Sequence, residues 1–373
     1  MNTYLRGLGI AAPEVSIGQT RLAVLAKSMS SLTARQDEFV SSVFEGTKID
    51  LRGSVLFRDG PEAFGEMDFY TQASDRHDGG PTTGDRMARY LKEAPALAFA
   101  ASKRALAQAE ISPDDVAHLV MVSCTGFAAP GVDIALIEEL GLRKTISRST
   151  IGFMGCHGAI NGLRVVDGLC QRHPDDVVLL CAVELCSLHY AYRWHAQRVV
   201  ANALFADGAG ALVCSGKSGG LGWRLIDTGS YLMSSGKDAM SWYIGDHGFE
   251  MTLDREVPKL IEKHLPGWLT SWLAPHGLTI NDIGGWAVHP GGPAILQSVK
   301  ESLQLSDAQM APSYDVLSQH GNMSSPTVLF ILDQLRRSHA FEKSEAPYVM
   351  LAFGPGLAAE IALIQPNTRS DTL

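Results

Sequence analysis

The chain has 373 residues, of which 46% are apolar, 19% are charged and 37 are glycine. This length is enough for two hydrophobic cores, or for one large core with internal symmetry. The formal charge is −9, which argues against a broad nucleic-acid surface because such surfaces need basic side chains to displace counterions. No segment approaches the roughly 18 continuous apolar residues of a membrane span. The N-terminus, MNTYLRGLGIAAPEV, has only a short apolar patch broken by Gly and Pro, so we expect a cytoplasmic protein.

The first predicted elements are a short helix start and the strand that follows it. The segment SPDD (112–115) resembles a helix start and leads into the apolar run LVMVS and a turn at Gly126. The segment TIND (279–282) leads in the same way into GGWAVHPGG. This echo indicates that the second half of the chain repeats the first.

A cysteine comes next, between glycines at a predicted turn. The segment GFMGCHG (152–158) has three glycines in seven residues, and Cys156 stands where a helix is predicted to begin. Unpaired N–H groups and the partial positive charge of a helix start lower a cysteine pKa and make the thiol a nucleophile. The alternative is a buried cysteine that packs as a small apolar residue, the usual fate of free cysteine. His157 follows directly, and we expect it to point elsewhere on the helix.

A helix and a buried strand follow this cysteine. Residues 157–173 place Ile160, Leu163, Val166 and Cys170 on one helical face, and Pro174 ends the pattern. Residues 177–184, VVLLCAVE, form a short and continuously apolar run, which is typical of a buried strand.

A second echo involves pairs of glycines placed before apolar strands. LFADGAGALVCS carries Gly208 and Gly210, and LAFGPGLAAEIALI carries Gly354 and Gly356. Both echoes occur in the same order, so we predict an α/β fold of two duplicated halves, each ending in a strand hairpin.

The six cysteines fall in one stretch of the chain without a CxxC pair, and no His, Cys or Asp cluster has metal-ligand spacing. This pattern favours free thiols in a reducing compartment over disulfides, and it suggests no metal.

Two further polar residues stand at glycine-containing turns. His289 follows the predicted strand GGWAV and precedes Pro and two glycines, which let a ligand approach the backbone. Asn322 lies in SQHGNMSSP before a predicted helix, where its amide serves either as an oxyanion donor or as a helix cap. Cys, His and Asn in this order suit a papain-like thiol hydrolase or a thiolase-fold condensing enzyme. The context of Cys156 lacks the flanking residues of the papain-like class.

The motifs GFMGCHGAINGLR, LFADGAGALV, WAVHPGGPAIL, SQHGNMSSPTVLFIL and LAFGPGLAAE resemble, in order and spacing, the type III polyketide synthases of the chalcone synthase superfamily. The resemblance runs from about residue 90 to 363. It implies a thiolase-like fold with αβαβα layers, with one half at 1–217 carrying the nucleophilic cysteine and the other at 218–373 carrying His and Asn. Ketoacyl-ACP synthase III has similar Cys, His and Asn chemistry, but its histidine segment usually lacks HPGGP.

The resemblance also implies a reaction. Cys156 would accept an acyl group from a CoA thioester, and His289 and Asn322 would stabilise the enolate formed when malonyl-CoA decarboxylates. The acyl-CoA starter and malonyl-CoA are then the expected small-molecule partners, without a separate cofactor, in a homodimer. Motifs similar to those of bacterial alkylpyrone and alkylresorcinol synthases favour a medium or long fatty acyl starter. Synthesis of 1,3,6,8-tetrahydroxynaphthalene from malonyl-CoA alone is the alternative.

Further site residues are carried over from the resemblance. Phe205 and Met251 match the two gatekeepers between the CoA tunnel and the cavity, and Thr125, Ala129 and Cys186 match small residues of a long acyl tunnel. The position of Ala129 also matches a methionine that crosses the dimer interface in plant enzymes. Cys124 matches an auxiliary cysteine of tetrahydroxynaphthalene synthases. The remaining predicted substrate-binding residues are His189, Gly291, Gly292, Pro355 and Gly356, and the candidates for the CoA phosphates are Lys48 and Arg52.

Overall fold

The computed structural model describes residues 2–30, 33–58, 66–338 and 345–366. The strands are β1 (Thr3–Ala11), β2 (Ser16–Gly18), β3 (Leu51–Gly53), β4 (Phe57–Arg58), β5 (Glu66–Met67), β6 (Val116–Ser123), β7 (Ser147–Gly152), β8 (Val177–Leu185), β9 (Asp207–Ser215), β10 (Trp223–Leu232), β11 (Met240–Gly245), β12 (Gly248–Leu253), β13 (Gly285–Val288), β14 (Tyr348–Gly354) and β15 (Ala358–Pro366). The α-helices are α1 (Gln19–Met29), α2 (Ala34–Gly46), α3 (Thr83–Ala109), α4 (Val132–Leu140), α5 (Gly158–Arg172), α6 (Ala196–Leu204), α7 (Val257–Leu273), α8 (Pro293–Ser302), α9 (Asp307–His320) and α10 (Thr327–Arg337).

The large sheet shows the predicted duplication. Its nine strands run in the order β13-β14-β15-β10-β1-β9-β8-β6-β7. The second-half strands β10, β15, β14 and β13 repeat the pairing directions of β1, β9, β8 and β6: two antiparallel pairs are followed by a parallel one. The halves meet where Thr3–Leu5 pairs with 223–225. The proposed boundary between residues 217 and 218 falls in the connection from β9 to β10.

The layers follow from where the apolar side chains point. In one core, α5 and α10 pack together with strands of both halves. The opposite face of the first-half strands packs on α3, and that of the second-half strands packs on α7 and α8. The two halves of the sheet thus form two strand layers. The helices α5 and α10 lie between these layers, and α3, α7 and α8 lie outside them, which confirms the expected thiolase-like arrangement.

The local predictions on either side of Cys156 are confirmed. The helix runs over 158–172, one residue shorter at each end than predicted, and its predicted apolar face is buried. Every residue of β8 is buried, which explains its uninterrupted apolar sequence. In the first echo, short 3₁₀ turns at 113–115 and 280–282 precede β6 and β13, which occupy equivalent places in the two halves.

The second echo is only partly right. Gly208 and Gly210 lie inside β9, whereas Gly354 ends β14 and Gly356 lies in the turn before β15. The glycines of β9 serve close packing: a Cβ at Gly208 would lie 2.5 Å from the Met323 sulfur, and one at Gly210 would lie 2.9 Å from a Leu329 methyl. The predicted hairpin exists for β14–β15, but α6 separates β8 from β9.

Candidate active site

Cys156 lies in the tight 3₁₀ turn Gly155–His157 that leads into α5. Gly155 has a φ of +66°, and a Cβ on it would come within 2.4 Å of Pro355 Cδ, so the turn requires glycine on both grounds. The Cys156 side chain is buried, and burial raises the pKa of its thiol to about 11. The expected lowering of this pKa is therefore wrong, because desolvation of the thiolate outweighs the helix start. Cys156 is a thiol that needs a proton acceptor.

Asn322 is buried next to Cys156, with its Oδ1 4.0 Å from the Cys156 sulfur. Its backbone pairs with the end of α6: its N–H donates to the Leu204 carbonyl, and its carbonyl accepts from the Ala206 N–H. The side-chain Oδ1 accepts a hydrogen bond from the Ser324 N–H at 2.8 Å, which fixes the orientation of the amide. Because α10 begins at Thr327, Asn322 is not the cap of that helix. Asn322 therefore lies beside Cys156, with its amide oxygen toward the sulfur.

His289 follows β13 directly and is 1% exposed. Its backbone N–H donates to the Leu351 carbonyl at 2.8 Å, which extends the pairing of β13 with β14. Neither ring nitrogen has a hydrogen-bond partner among the described residues. Burial lowers the pKa of His289 to about 3, so the ring is neutral at pH 7.

A buried carboxylate near the site has no counterpart in the sequence predictions. Glu184, at the end of β8, accepts hydrogen bonds from the Cys124 N–H, from the Thr125 hydroxyl at 2.6 Å and from the Ser325 hydroxyl at 2.5 Å. The Cys124 thiol donates to Glu184 at 3.3 Å and lies 3.4 Å from the Ser324 hydroxyl. Burial raises the pKa of Glu184. The sequence did contain a signal for this site: Glu184 is a charged residue in an otherwise apolar strand, and a buried carboxylate needs several hydrogen-bond donors around it.

Cys156 lines an inner cavity, and a second, apolar pocket adjoins that cavity. The inner cavity, of about 30 Å³, is lined by Cys124, Thr125, Gly155, Cys156, Cys186, Phe205, Met240, Ser241, Trp242, Met251, Ser324 and Pro355. The apolar pocket, of about 90 Å³, extends from there toward α1 and α2, and its lining includes Leu22, Leu25, Met29, Phe44, Leu56, Phe57 and Met67. Cys186, Phe205, Trp242 and Met251 border both spaces. These four side chains therefore form the wall between the cysteine and the apolar pocket.

Trp242 is the member of this wall that sequence reasoning missed. It pairs across the β11–β12 hairpin with Met251, and its Nε1–H donates to the Cys124 carbonyl at 2.8 Å. Its ring centroid lies 6.4 Å from that of Phe205. A lone tryptophan in a polar-rich segment gives no local signal of this position. Pro355 lines the inner cavity, and the Gly356 N–H donates to the Met240 carbonyl, which ties the hairpin to the β14–β15 turn.

The predicted glycines after His289 line a separate cleft. Gly291 and Gly292 border a space of about 410 Å³, together with residues of α2, α6, α8 and the segment 253–258. Arg255 is among the lining residues. Glycine at 292, with a φ of +153°, is required by the backbone there.

Three predicted site residues are placed differently from expectation. His189 borders the apolar pocket, but both ring nitrogens are used by the backbone: Nδ1 accepts from the Phe249 N–H and Nε2 donates to the Thr125 carbonyl. Arg52 is buried, with Nη1 donating to the carbonyls of Asn202 and Phe205. Ala129 is exposed and borders neither cavity.

These placements have physical consequences. The His189 ring stacks on Phe249 with 4.2 Å between centroids, so it supports the wall and has no free nitrogen for a substrate. Arg52 holds the backbone of Phe205 in the interior, where it is badly placed for phosphates at the surface. Lys48 is exposed, and its proposed contact with CoA phosphates stays a prediction.

In the described part of the chain, no group of three His, Cys, Asp or Glu side chains is placed to hold a metal ion. Within the same residues, no helix combines the length and the apolar character needed to cross a membrane. All six cysteines are free and buried.

The chain is similar to known proteins of one family. The chain matches the chalcone and stilbene synthase N-terminal domain over residues 71–217 and the C-terminal domain over 227–367. It is 36% identical over 286 residues to the 1,3,6,8-tetrahydroxynaphthalene synthase of Streptomyces peucetius subsp. caesius, covering 76% of each chain. It is 35% identical to the alpha-pyrone synthesis polyketide synthase-like Pks18 of Mycobacterium tuberculosis, covering 75% of this chain and 72% of that one.

A solved structure has a similar fold along almost the whole chain. PKS-I from the brown alga Ectocarpus siliculosus superposes with a TM-score of 0.90 at 29% identity, covering 98% of both chains. Together with the two family domains, these matches assign the fold, the family and the acyltransferase class. The chain belongs to the chalcone and stilbene synthase family and is a type III polyketide synthase.

Proposed function

We propose that this enzyme condenses malonyl-CoA units onto a medium or long fatty acyl starter carried by Cys156, and that it then closes an alkylpyrone or alkylresorcinol ring. The observation that carries the proposal is the apolar pocket, which is separated from Cys156 only by a wall that includes the small side chain of Cys186. An acyl chain on the sulfur gains stability by leaving water for such a space.

The chemistry assigns a step to each polar residue. Cys156 gives its proton to His289, and the thiolate attacks the acyl-CoA carbonyl, forming the enzyme thioester and releasing the CoA thiol. Loss of CO₂ from malonyl-CoA leaves an enolate, whose oxygen Asn322 and His289 stabilise by donating hydrogen bonds. The enolate carbon attacks the Cys156 thioester, and the cysteine sulfur leaves as a thiolate that takes up a proton.

The basic test of the site uses labelled acyl-CoA starters from acetyl to stearoyl, with malonyl-CoA and product detection by mass spectrometry. We expect label on the Cys156 peptide of wild type and none on Cys156→Ala. Equal labelling of both proteins would rule out Cys156 as the acyl carrier.

The starter class is tested separately at Cys186. A Cys186→Phe change fills the wall between the cysteine and the apolar pocket, so kcat/KM for long starters should fall at least about tenfold relative to acetyl-CoA, roughly 1.4 kcal/mol or more of transition-state binding. Cys186→Ser, which preserves size, is the matched control. Equal losses for short and long starters would show that the pocket does not receive the chain.

A second product is favoured by Cys124, whose side chain borders the inner cavity beside Cys156. The relative from Streptomyces peucetius is named for tetrahydroxynaphthalene synthesis. Malonyl-CoA as sole substrate distinguishes the two: an aromatic tetrahydroxynaphthalene product from wild type, lost in Cys124→Ala, would replace the long-starter proposal.

We also propose a homodimer that contacts through the region around β7. This strand forms one end of the sheet, and its residues 147–150 are exposed. Near its end, the apolar side chains of Phe127 and Met154 are 38% and 37% exposed, and Ala129 is exposed nearby in sequence. Unpaired strand edges and exposed apolar side chains together favour association with a second copy.

The proposed location is the cytoplasm. The free and buried state of the six cysteines supports a reducing compartment. Fractionation of cells that express the full chain tests this directly, and recovery of the protein outside the cytoplasmic fraction would contradict it.

A further inference from the structure

Two buried histidines, His157 next to Cys156 in the chain and His289 after β13, lack hydrogen-bond partners for most of their ring nitrogens. His157 and His289 are 2% and 1% exposed. Among the described residues, Nε2 of His157 and both ring nitrogens of His289 have no partner. Unpaired polar atoms in the interior are costly and rare, so three such nitrogens on two histidines call for a function.

The strand register brings the two rings to the same face of the sheet. Val288 pairs with Leu351, so His289, the next residue along, points to the opposite face, as do Ala287 and Ala352. That face packs on α5. Gly354 lies on it two residues beyond Ala352, a rise of roughly 6–7 Å along the strand. A Cβ on Gly354 would lie 2.6 Å from Nε2 of His157, so this nitrogen lies against β14, two residues along the strand from the level of His289.

The hydrogen bond on the other side of the His157 ring defines what Nε2 offers. Nδ1 lies 2.6 Å from Oδ1 of Asn161, one turn along α5. Because an amide oxygen only accepts, Nδ1 carries the proton and Nε2 presents a lone pair.

The charges around the ring leave it neutral. Burial lowers the pKa of His157, which is the main effect. The Glu360 carboxylate on β15 favours the charged ring and the Arg164 guanidinium on α5 disfavours it, but these two form an ion pair with each other. On the side of β13, His289 is the titratable group that faces His157, and a charged His157 would lower the pKa of His289, so the proposed contact requires the neutral ring.

We propose that His157 is a positioning residue whose Nε2 accepts a hydrogen bond from His289 through one water molecule, and thereby stabilises the imidazolium formed when His289 takes the proton of Cys156. In that step the S–H bond breaks and an N–H bond forms on His289. The thiolate then faces one N–H of the imidazolium, and His157 accepts from the other through the water. His157 therefore has the role that the aspartate has in a Ser-His-Asp triad, but it is a neutral ring and not a carboxylate.

This inference rests on the nucleophilic role proposed for Cys156 but not on the substrate. The test is the pH dependence of Cys156 alkylation by iodoacetamide in the full-length enzyme, followed by mass spectrometry of the Cys156 peptide. In His157→Leu the inflection should move up by about one pH unit, and alkylation at pH 7 should slow about tenfold. His157→Gln places an amide oxygen near the former Nε2, so its profile should stay close to wild type.

Two results would overturn the proposal. An unchanged profile in His157→Leu would reduce His157 to a packing residue, and a downward shift would mean that it repels the imidazolium. If His157→Leu fails to fold, as judged by circular dichroism and thermal unfolding, Asn161→Leu replaces it. That change leaves His157 in place but removes the acceptor that fixes its tautomer, and a profile identical to wild type would again overturn the proposal.

The two levels of inference remain separable because alkylation needs no acyl-CoA. The predicted shift in an enzyme that makes no polyketide would support the role of His157 and refute the proposed product. Normal products from His157→Leu with an unshifted alkylation profile would support the proposed product and refute the role of His157.

Discussion

His289 is a base buried without a hydrogen-bond partner among the described residues, so its protonation opposes folding. Burial lowers the pKa of His289 to about 3, whereas an unfolded histidine titrates near ~6.5. Between these values the unfolded chain binds more protons than the folded one. The stabilising contribution of the neutral ring is therefore fully present above about pH 6.5 and is lost as the pH falls toward 3. His189, whose pKa burial also lowers to about 3, acts in the same direction.

His289→Gln should therefore abolish condensation but weaken the acid sensitivity of the fold. Each such histidine contributes a slope of about 1.4 kcal/mol per pH unit within that range, so the variant should lose stability less steeply below about pH 6.5. Urea unfolding at pH 7, 6 and 5 measures the slope. The matched control is His195→Gln, at an exposed position. An unchanged slope in His289→Gln would show that this ring is not buried in the neutral form.

The β11–β12 hairpin is the element that closes the site, although it belongs to the second half of the chain. It brings Trp242 and Met251 to the wall beside Cys156. Several contacts hold it, among them the hydrogen bond from Trp242 Nε1 to the Cys124 carbonyl, the one from the Gly356 N–H to the Met240 carbonyl and the one from the Phe249 N–H to His189. A two-stranded sheet is only marginally stable alone, so these contacts decide where the wall stands.

Trp242→Phe keeps an aromatic ring in the wall but removes the donor to Cys124. We expect a loss of about 1 kcal/mol in unfolding free energy, the usual net value of one hydrogen bond. If the same loss lowers the free energy of local opening of the hairpin, its amide hydrogen exchange should become about fivefold faster. Tyr243→Phe is the matched control, because Tyr243 is the next residue of the strand and is 62% exposed. Equal exchange in both variants would mean that the hairpin is held elsewhere.

At the scale of the whole molecule, the nine-stranded sheet ends at β7, and the exposed Phe127 lies at that end. The rings of Phe127 and Phe153 have centroids 5.3 Å apart, so the apolar surface there is continuous with the turn that precedes Cys156. A second copy bound at this surface would support the turn and exclude water from it.

Phe127→Glu should therefore convert the proposed dimer into a monomer, because burying an unpaired carboxylate in the contact costs several kcal/mol. Light scattering after size-exclusion chromatography measures the mass. The control is Leu232→Glu, which should leave the mass unchanged. Leu232 is exposed on β10, and four strands separate β10 from β7 in the sheet. A wild-type protein of single-chain mass would contradict the dimer.

The sequence by itself determined the duplicated α/β organisation, α5, β8 and the three polar residues proposed for catalysis. These features are local: helical periodicity, an uninterrupted apolar run and glycine-rich turns are visible within a few residues. The two halves could be matched because equivalent strands begin in the same way, as β6 and β13 do after their 3₁₀ turns.

Only the tertiary structure decided the protonation of Cys156 and the partners of Glu184, Arg52 and His189. These properties depend on residues far apart in the chain: Thr125 and Glu184 are 59 positions apart, and Cys124 and Ser324 are 200 apart. Burial, which raises the pKa of the Cys156 thiol, is likewise set by strands and helices of both halves. Local patterns specify which elements form, whereas desolvation and hydrogen bonding depend on which elements meet.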